Sequence, residues 1–170
     1  MTTMPLLQRF SLLFLAIAVT GAMAAPSDEA LVADLLASLK PVPDFKRQEN
    51  VGSALRAFKA HGLIAARPQR LDYTDFYPLQ KSIRVFGHDL VWLEEEYMVK
   101  FIGCCVSEGG GLLLRLNGSS SEIAEFASKN QCSLTEFDNL AQYRQNSFFK
   151  YPLPEGRYAA VSCRVRDKRR

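Results

Sequence analysis

Histidine and tryptophan are scarce in this 170-residue chain, two and one respectively, and cysteine occurs four times. Any imidazole chemistry must therefore run through His61 or His88. Phe10 to Val19 is the longest apolar run, well short of the roughly 20 residues a membrane helix needs, so no membrane span is expected. A Gly-x-Ser-x-Gly nucleophile elbow and a Cys-x-x-Cys redox turn are both missing. Gly109-Gly110-Gly111 lacks the Lys-[Ser/Thr] of a phosphate loop and reads as a turn. No period of 20 to 50 residues recurs, which excludes a repeat architecture. The chain offers no complete catalytic set, metal-ligand spacing or cofactor loop, so neither a metal nor a cofactor is expected.

What is present begins with an export signature. Arg9 and the amino end form a small positive region, Phe10 to Val19 a short apolar core, and Ala22-Met23-Ala24 a small-residue cleavage signal. Residues 1–24 are expected to be a signal peptide removed before Ala25, sending the chain to the periplasm or the extracellular space. No cysteine follows that site, which argues against lipid anchoring. The net charge of +3 is concentrated at the C-terminus, where Arg164, Arg166, Lys168, Arg169 and Arg170 face one acid, Asp167. The body is slightly acidic. A nucleic-acid partner is not expected, because phosphate tracking needs cations clustered on the fold itself. Residues 167–170 read as a solvated basic tail, and the five cations as a weak contact for an anionic surface.

Cys104, Cys105, Cys132 and Cys163 form an even set in an exported chain, which suggests two disulfides. On a strand, Cys104 and Cys105 point to opposite faces, so one is expected to reach Cys132 and the other Cys163. This would staple the last strand to the Cys104/Cys105 strand.

Along the chain, Ser27 is positioned to cap a helix with the stripe Leu31, Leu35, Leu36 and Leu39, ended by Pro41 and Pro43. That helix and its Pro-rich connector occupy 25–48, and a single α+β domain is expected over 49–166. A second helix begins near Asn50, carries Val51, Ala54, Leu55 and Phe58 on one face, and stops at Gly62. Leu71–Tyr77, Ser82–Phe86, Leu90–Met98, Val99–Val106 and Leu112–Leu116 read as strands, with a turn at Phe86-Gly87-His88-Asp89. Ser119 with Glu122 makes a capping box for a helix through Ile123, Phe126 and Ala127; Ser133 with Glu136 repeats it for a further short helix. Arg157 to Val165 alternates as a final strand. The expected class is α+β: two N-terminal helices, an antiparallel sheet of about five strands, and one or two helices inserted before the last strand, all disulfide-stapled.

Candidate chemistry is thin. Glu94 and Glu96 share one face of a strand, where they could meet His88 or a cation, although three consecutive acids fit a solvated edge better. His61 suits a helix C-terminus. Of the aromatic residues, an exposed subset of Tyr73, Tyr77, Trp92 and Tyr97, rimmed by Glu94 and Glu96, is the candidate binding surface. The sequence favours an exported, non-enzymatic binding or inhibitor-type domain acting on another envelope or secreted component. The alternative is an envelope enzyme, using thiol chemistry at Cys104/Cys105 or acid–base or metal chemistry around His88, Glu94 and Glu96.

Overall fold

A computed structural model describes residues 27–41, 47–71, 73–96, 107, 109–138 and 153–169. Ser27 accepts from the Ala30 amide at 3.3 Å and opens α1 (Asp28–Ser38), whose buried apolar residues are Leu31 and Leu35, continued by Leu39. Helix α2 (Arg47–Ala60) starts slightly earlier than the spacing suggests and buries Val51, Ala54, Leu55 and Phe58. It ends as expected at Gly62, whose φ of 63° lets the Leu63 amide reach back to the Phe58 carbonyl at 2.9 Å.

The sheet is antiparallel and has, among the described residues, seven strands: β1 (Gln69–Leu71), β2 (Thr74–Pro78), β3 (Arg84–Val85), β4 (His88–Glu96), β5 (Gly109–Arg115), β6 (Ser133–Phe137) and β7 (Tyr158–Arg164). Their order is β1-β2-β4-β5-β7-β6, with β3 also paired to β4. The expected α+β class holds, with more strands than anticipated. The single run expected from Leu71 to Tyr77 is instead a tight β1–β2 hairpin. Between β3 and β4, Phe86 (φ 53°) and Gly87 (φ 74°) form a two-residue turn joining the Val85–His88 pair. A phenylalanine is disfavoured at positive φ, and here its ring packs 5.4 Å from Phe126 on α3 (Ser121–Lys129).

Three local readings are corrected. The segment from Ser133 is not a helix; Ser133 to Phe137 pair residue by residue with Ser162 to Tyr158. Tertiary pairing overrides the capping signal, and Glu136 accepts from Ser120 and Arg157 instead. The capping box expected of Ser119 and Glu122 does not form, because the N-cap is Ser120, which makes no side-chain cap bond. Gly109-Gly110-Gly111 is not a turn but the first half of β5.

The larger hydrophobic cluster joins α1, α2 and α3 to one sheet face, through Tyr77, Leu93, Leu112, Leu114, Val161 and Cys163. On the opposite face Phe76, Trp92, Leu113, Phe137 and Tyr158 form a second, aromatic cluster, with Phe76 edge-on to Trp92 at 6.0 Å. Cys132 is bonded to Cys163, which overturns the expectation that Cys163 pairs with the Cys104/Cys105 strand; Cys104 and Cys105 lie outside the described residues. Because Ser133 opposes Ser162, the bridge joins the residue just before β6 to its neighbour on β7 and needs no reach across the sheet. The bonded cysteines are 31 residues apart, so the bridge is worth about 3–4 kcal/mol in the chain-entropy view. Replacing both cysteines with alanine should lower unfolding stability by about that amount, measured by urea denaturation, with α3 and β6 the first elements to lose amide protection.

Candidate functional site

The alternation of β4 places Trp92, Glu94 and Glu96 on the face opposite the helices. Across the sheet, one rung of that face reads Ser133, Ser162, Gly111, Glu94 and Phe76, and the pair beside it is Arg164 with Gly109. Glycine in the middle strand is what lets the flanking strands meet. A Cβ on Gly111 would lie 2.8 Å from the Val161 carbonyl oxygen, 3.0 Å from Glu94 Oε2 and 3.4 Å from Arg164 Nη1. At Gly109 it would lie 2.2 Å from the Cys163 carbonyl oxygen.

Through this lane Arg164 Nη2 donates to Glu94 Oε2 at 3.0 Å and Nη1 to Ser162 Oγ at 2.6 Å. Its Nε stands 2.9 Å from Glu96 Oε1, an ion contact without hydrogen-bond alignment. Trp92 Nε1 donates to Glu94 Oε1 at 2.8 Å, the Ser107 amide donates to Glu96 Oε2 at 2.7 Å, and Arg166 reaches Glu96 Oε1 at 2.5 Å. After β7 the chain turns through a 3-10 segment, Val165–Arg169. Asp167 folds back there to accept from the Arg164 amide and Ser162 Oγ at 2.8 Å each, and from Ser133 Oγ at 3.3 Å. Glu94, Glu96 and Arg164 are only 6, 2 and 3% exposed. Burial alone would lower the Arg164 pKa, but Glu94 and Glu96 together with Asp167 hold it above its ordinary value.

Several expectations change accordingly. Glu94 and Glu96 are neither a solvated edge nor an interface rim, since guanidinium groups neutralise both inside the fold. The described part of the basic C-terminus is not frayed: Arg164 is buried, which removes it as a contact for an anionic surface, and Arg166, half exposed, pairs with Glu96. Trp92 and Tyr77 are core residues at 0 and 3% exposure, so neither is an exposed anchor. Tyr73 is half-buried, and Tyr97 lies outside the described residues. Buried His88 accepts from the Asn117 amide at Nδ1, 3.0 Å away, and heads β4 six residues before Glu94, roughly 20 Å along the strand. The expected meeting of His88 with the glutamates does not occur. Among the described residues no cluster of three or more His, Cys, Asp or Glu side chains is arranged to hold a metal.

Arg164, by sequence only one of five C-terminal cations, is the centre of the site, with Asp167 as its clamp and Gly109 and Gly111 as the lane. Only the three glycines ahead of an apolar strand hinted at close approach. Beside Arg164 lies a cavity of about 180 Å³ lined by Thr74, Ser133, Thr135, Ser162 and Arg166, with Glu94 at its wall.

The third glutamate behaves differently. Glu95 faces α2 and bonds Tyr77, whose ring carries the Lys59 ammonium 4.4 Å above its centre. Burial, then the charges of Glu95 and Asp75, push the Tyr77 hydroxyl up to about 12. Burial likewise raises the Glu95 carboxyl, against the opposing pull of Lys59 and Arg56. Asp75 is itself clamped by Arg70 through two bonds of 2.6 and 2.7 Å.

Comparison with protein-family models, curated proteins and solved structures finds no match to this chain.

Arg164→Ala should cost about 3–5 kcal/mol in denaturant unfolding by stranding two buried carboxylates. Gly111→Ala should destabilise through the 2.8 Å approach to backbone, which no side-chain rotation relieves. Tyr77 has its pKa raised in the fold, so its contribution is fully present below pH 10 and is lost as pH rises toward about 12. Tyr77→Phe should flatten the fall in thermal midpoint across that window.

Proposed function

We propose that this chain is an exported binding domain that acts on another envelope or secreted component and presents the polar groove beside Arg164 as its contact site. The observation that carries this reading is the state of the charged groups. Glu94, Glu96, Arg164 and Asp167 are committed to one another, which holds the groove wall rigid, while hydroxyl-bearing Thr74 and Thr135 line the opening. Preorganised polar groups bind with little ordering cost, and a wall built on β-strands positions them better than a loop. The Cys132–Cys163 bridge fits an oxidising compartment and fastens the strand that carries Ser133 and Thr135. No described helix is long and apolar enough to cross a membrane.

The test has two parts. Intact mass of protein from the exported fraction should match residues 25–170 with Cys132 bonded to Cys163; full-length, reduced protein confined to the cytosol would sink the export reading. A photo-crosslinking residue at Thr135 should give a discrete adduct with an envelope or secreted component, and the same residue at exposed Glu125 on α3 should not. Equal labelling from both positions would remove the groove as the contact site.

A further inference from the structure

We propose that the groove beside Arg164 binds a neutral sugar ring. This rests on the reading of that groove as the binding site. Its volume, about 180 Å³, lies below the usual range for drug-sized ligands and suits a single ring.

The ligand class follows from the hydrogen-bonding capacity left over. Ser133 and Ser162 give their hydroxyl protons to Asp167, so toward a ligand they only accept. Thr74 and Thr135 line the same space with hydroxyls that bond no described residue, and each both donates and accepts. Arg166 meets Glu96 through Nη2, is 52% exposed, and has further N–H groups, which only donate. A bound group must therefore donate to the serines and accept from Arg166 within a small space.

A carboxylate or phosphate only accepts, and it would approach Glu94. An ammonium only donates, and it would approach Arg164 and Arg166. The cavity lining carries Glu94 against Arg164 and Arg166, and Glu96 and Asp167, outside the lining, bond its residues, so no strong field selects an ion. Hydroxyl groups do both jobs from one atom, and a sugar carries several at adjacent positions. A peptide also offers both capacities, but its amide and carbonyl point away from each other along an extended chain, whereas the acceptors and donors here share one small cavity. The sugar ring satisfies the lining with the fewest unmet groups.

Trp92 is the only tryptophan, and its indole N–H is bonded to Glu94 at the groove wall, so its fluorescence reports on the site directly. The experiment titrates the mature, oxidised protein with glucose, mannose, N-acetylglucosamine and a capped tripeptide, following Trp92 emission and amide chemical shifts. A saturable response to at least one sugar, with shifts centred on Ser133 and Thr135, is expected. Thr135→Val should weaken that response about fivefold, consistent with one lost hydrogen bond, at an unchanged thermal midpoint. Absence of any sugar response, or a response to the tripeptide alone, overturns the sugar proposal while a specific Thr135 adduct would keep the groove as the contact site. Sugar binding that is unaffected by both Thr135→Val and Ser133→Ala overturns the groove itself.

Discussion

Arg164 organises this molecule. A guanidinium at 3% exposure is tolerable only if its charge is met on the spot, and two carboxylates from a strand two places away in the sheet meet it. That requirement propagates outward. It demands glycine at 111, it fixes which face Glu94 presents, and it places Trp92 through a bond to the same carboxylate. It also sets where the chain goes after β7, since Asp167 must return to the Arg164 amide and Ser162. Buried ion clusters contribute little net stability compared with apolar packing, but they tolerate few alternative arrangements. The aromatic cluster beside it supplies the burial, and the ion cluster supplies the geometry.

Much of the fold was readable from local pattern. Helices α1 and α2 follow from the leucine stripe after Ser27 and from Val51, Ala54, Leu55 and Phe58, because amphipathic spacing and end signals are short-range properties. The turn at Phe86-Gly87 and the final strand were readable for the same reason. Long-range partnerships were not. Ser133 and Glu136 spell a helix start, yet the disulfide and the partner strand β7 decide the outcome. Arg164 looked like one of five C-terminal cations open to an anionic surface, since nothing in its neighbours reveals that Glu94, 70 positions away, needs it. The three consecutive glutamates gave no local sign that 94 and 96 are buried in ion pairs on one face while 95 touches Tyr77 on the other.

That division of the glutamates gives the two faces different electrostatics. On one, opposite charges are locked in mutual contact beside hydroxyl groups. On the other, a carboxyl and a phenol share a bond beneath a lysine, and burial pushes the pKa of both upward. The site expected from His88 dissolves for a simple geometric reason: a nine-residue strand separates its two ends by more than side chains can span.

The pairing of β6 with β7 has a consequence for how the chain can vary. The disulfide joins Cys132 to Cys163, and Asp167 ties together Ser133 and Ser162 at the very next rung. Sliding β6 by one residue would turn every side chain to the wrong face and break both attachments at once. Alignment of these two strands is thus set by their own residues. A shift would fall on the groove itself, because Ser133, Thr135 and Ser162 share its lining only in this register.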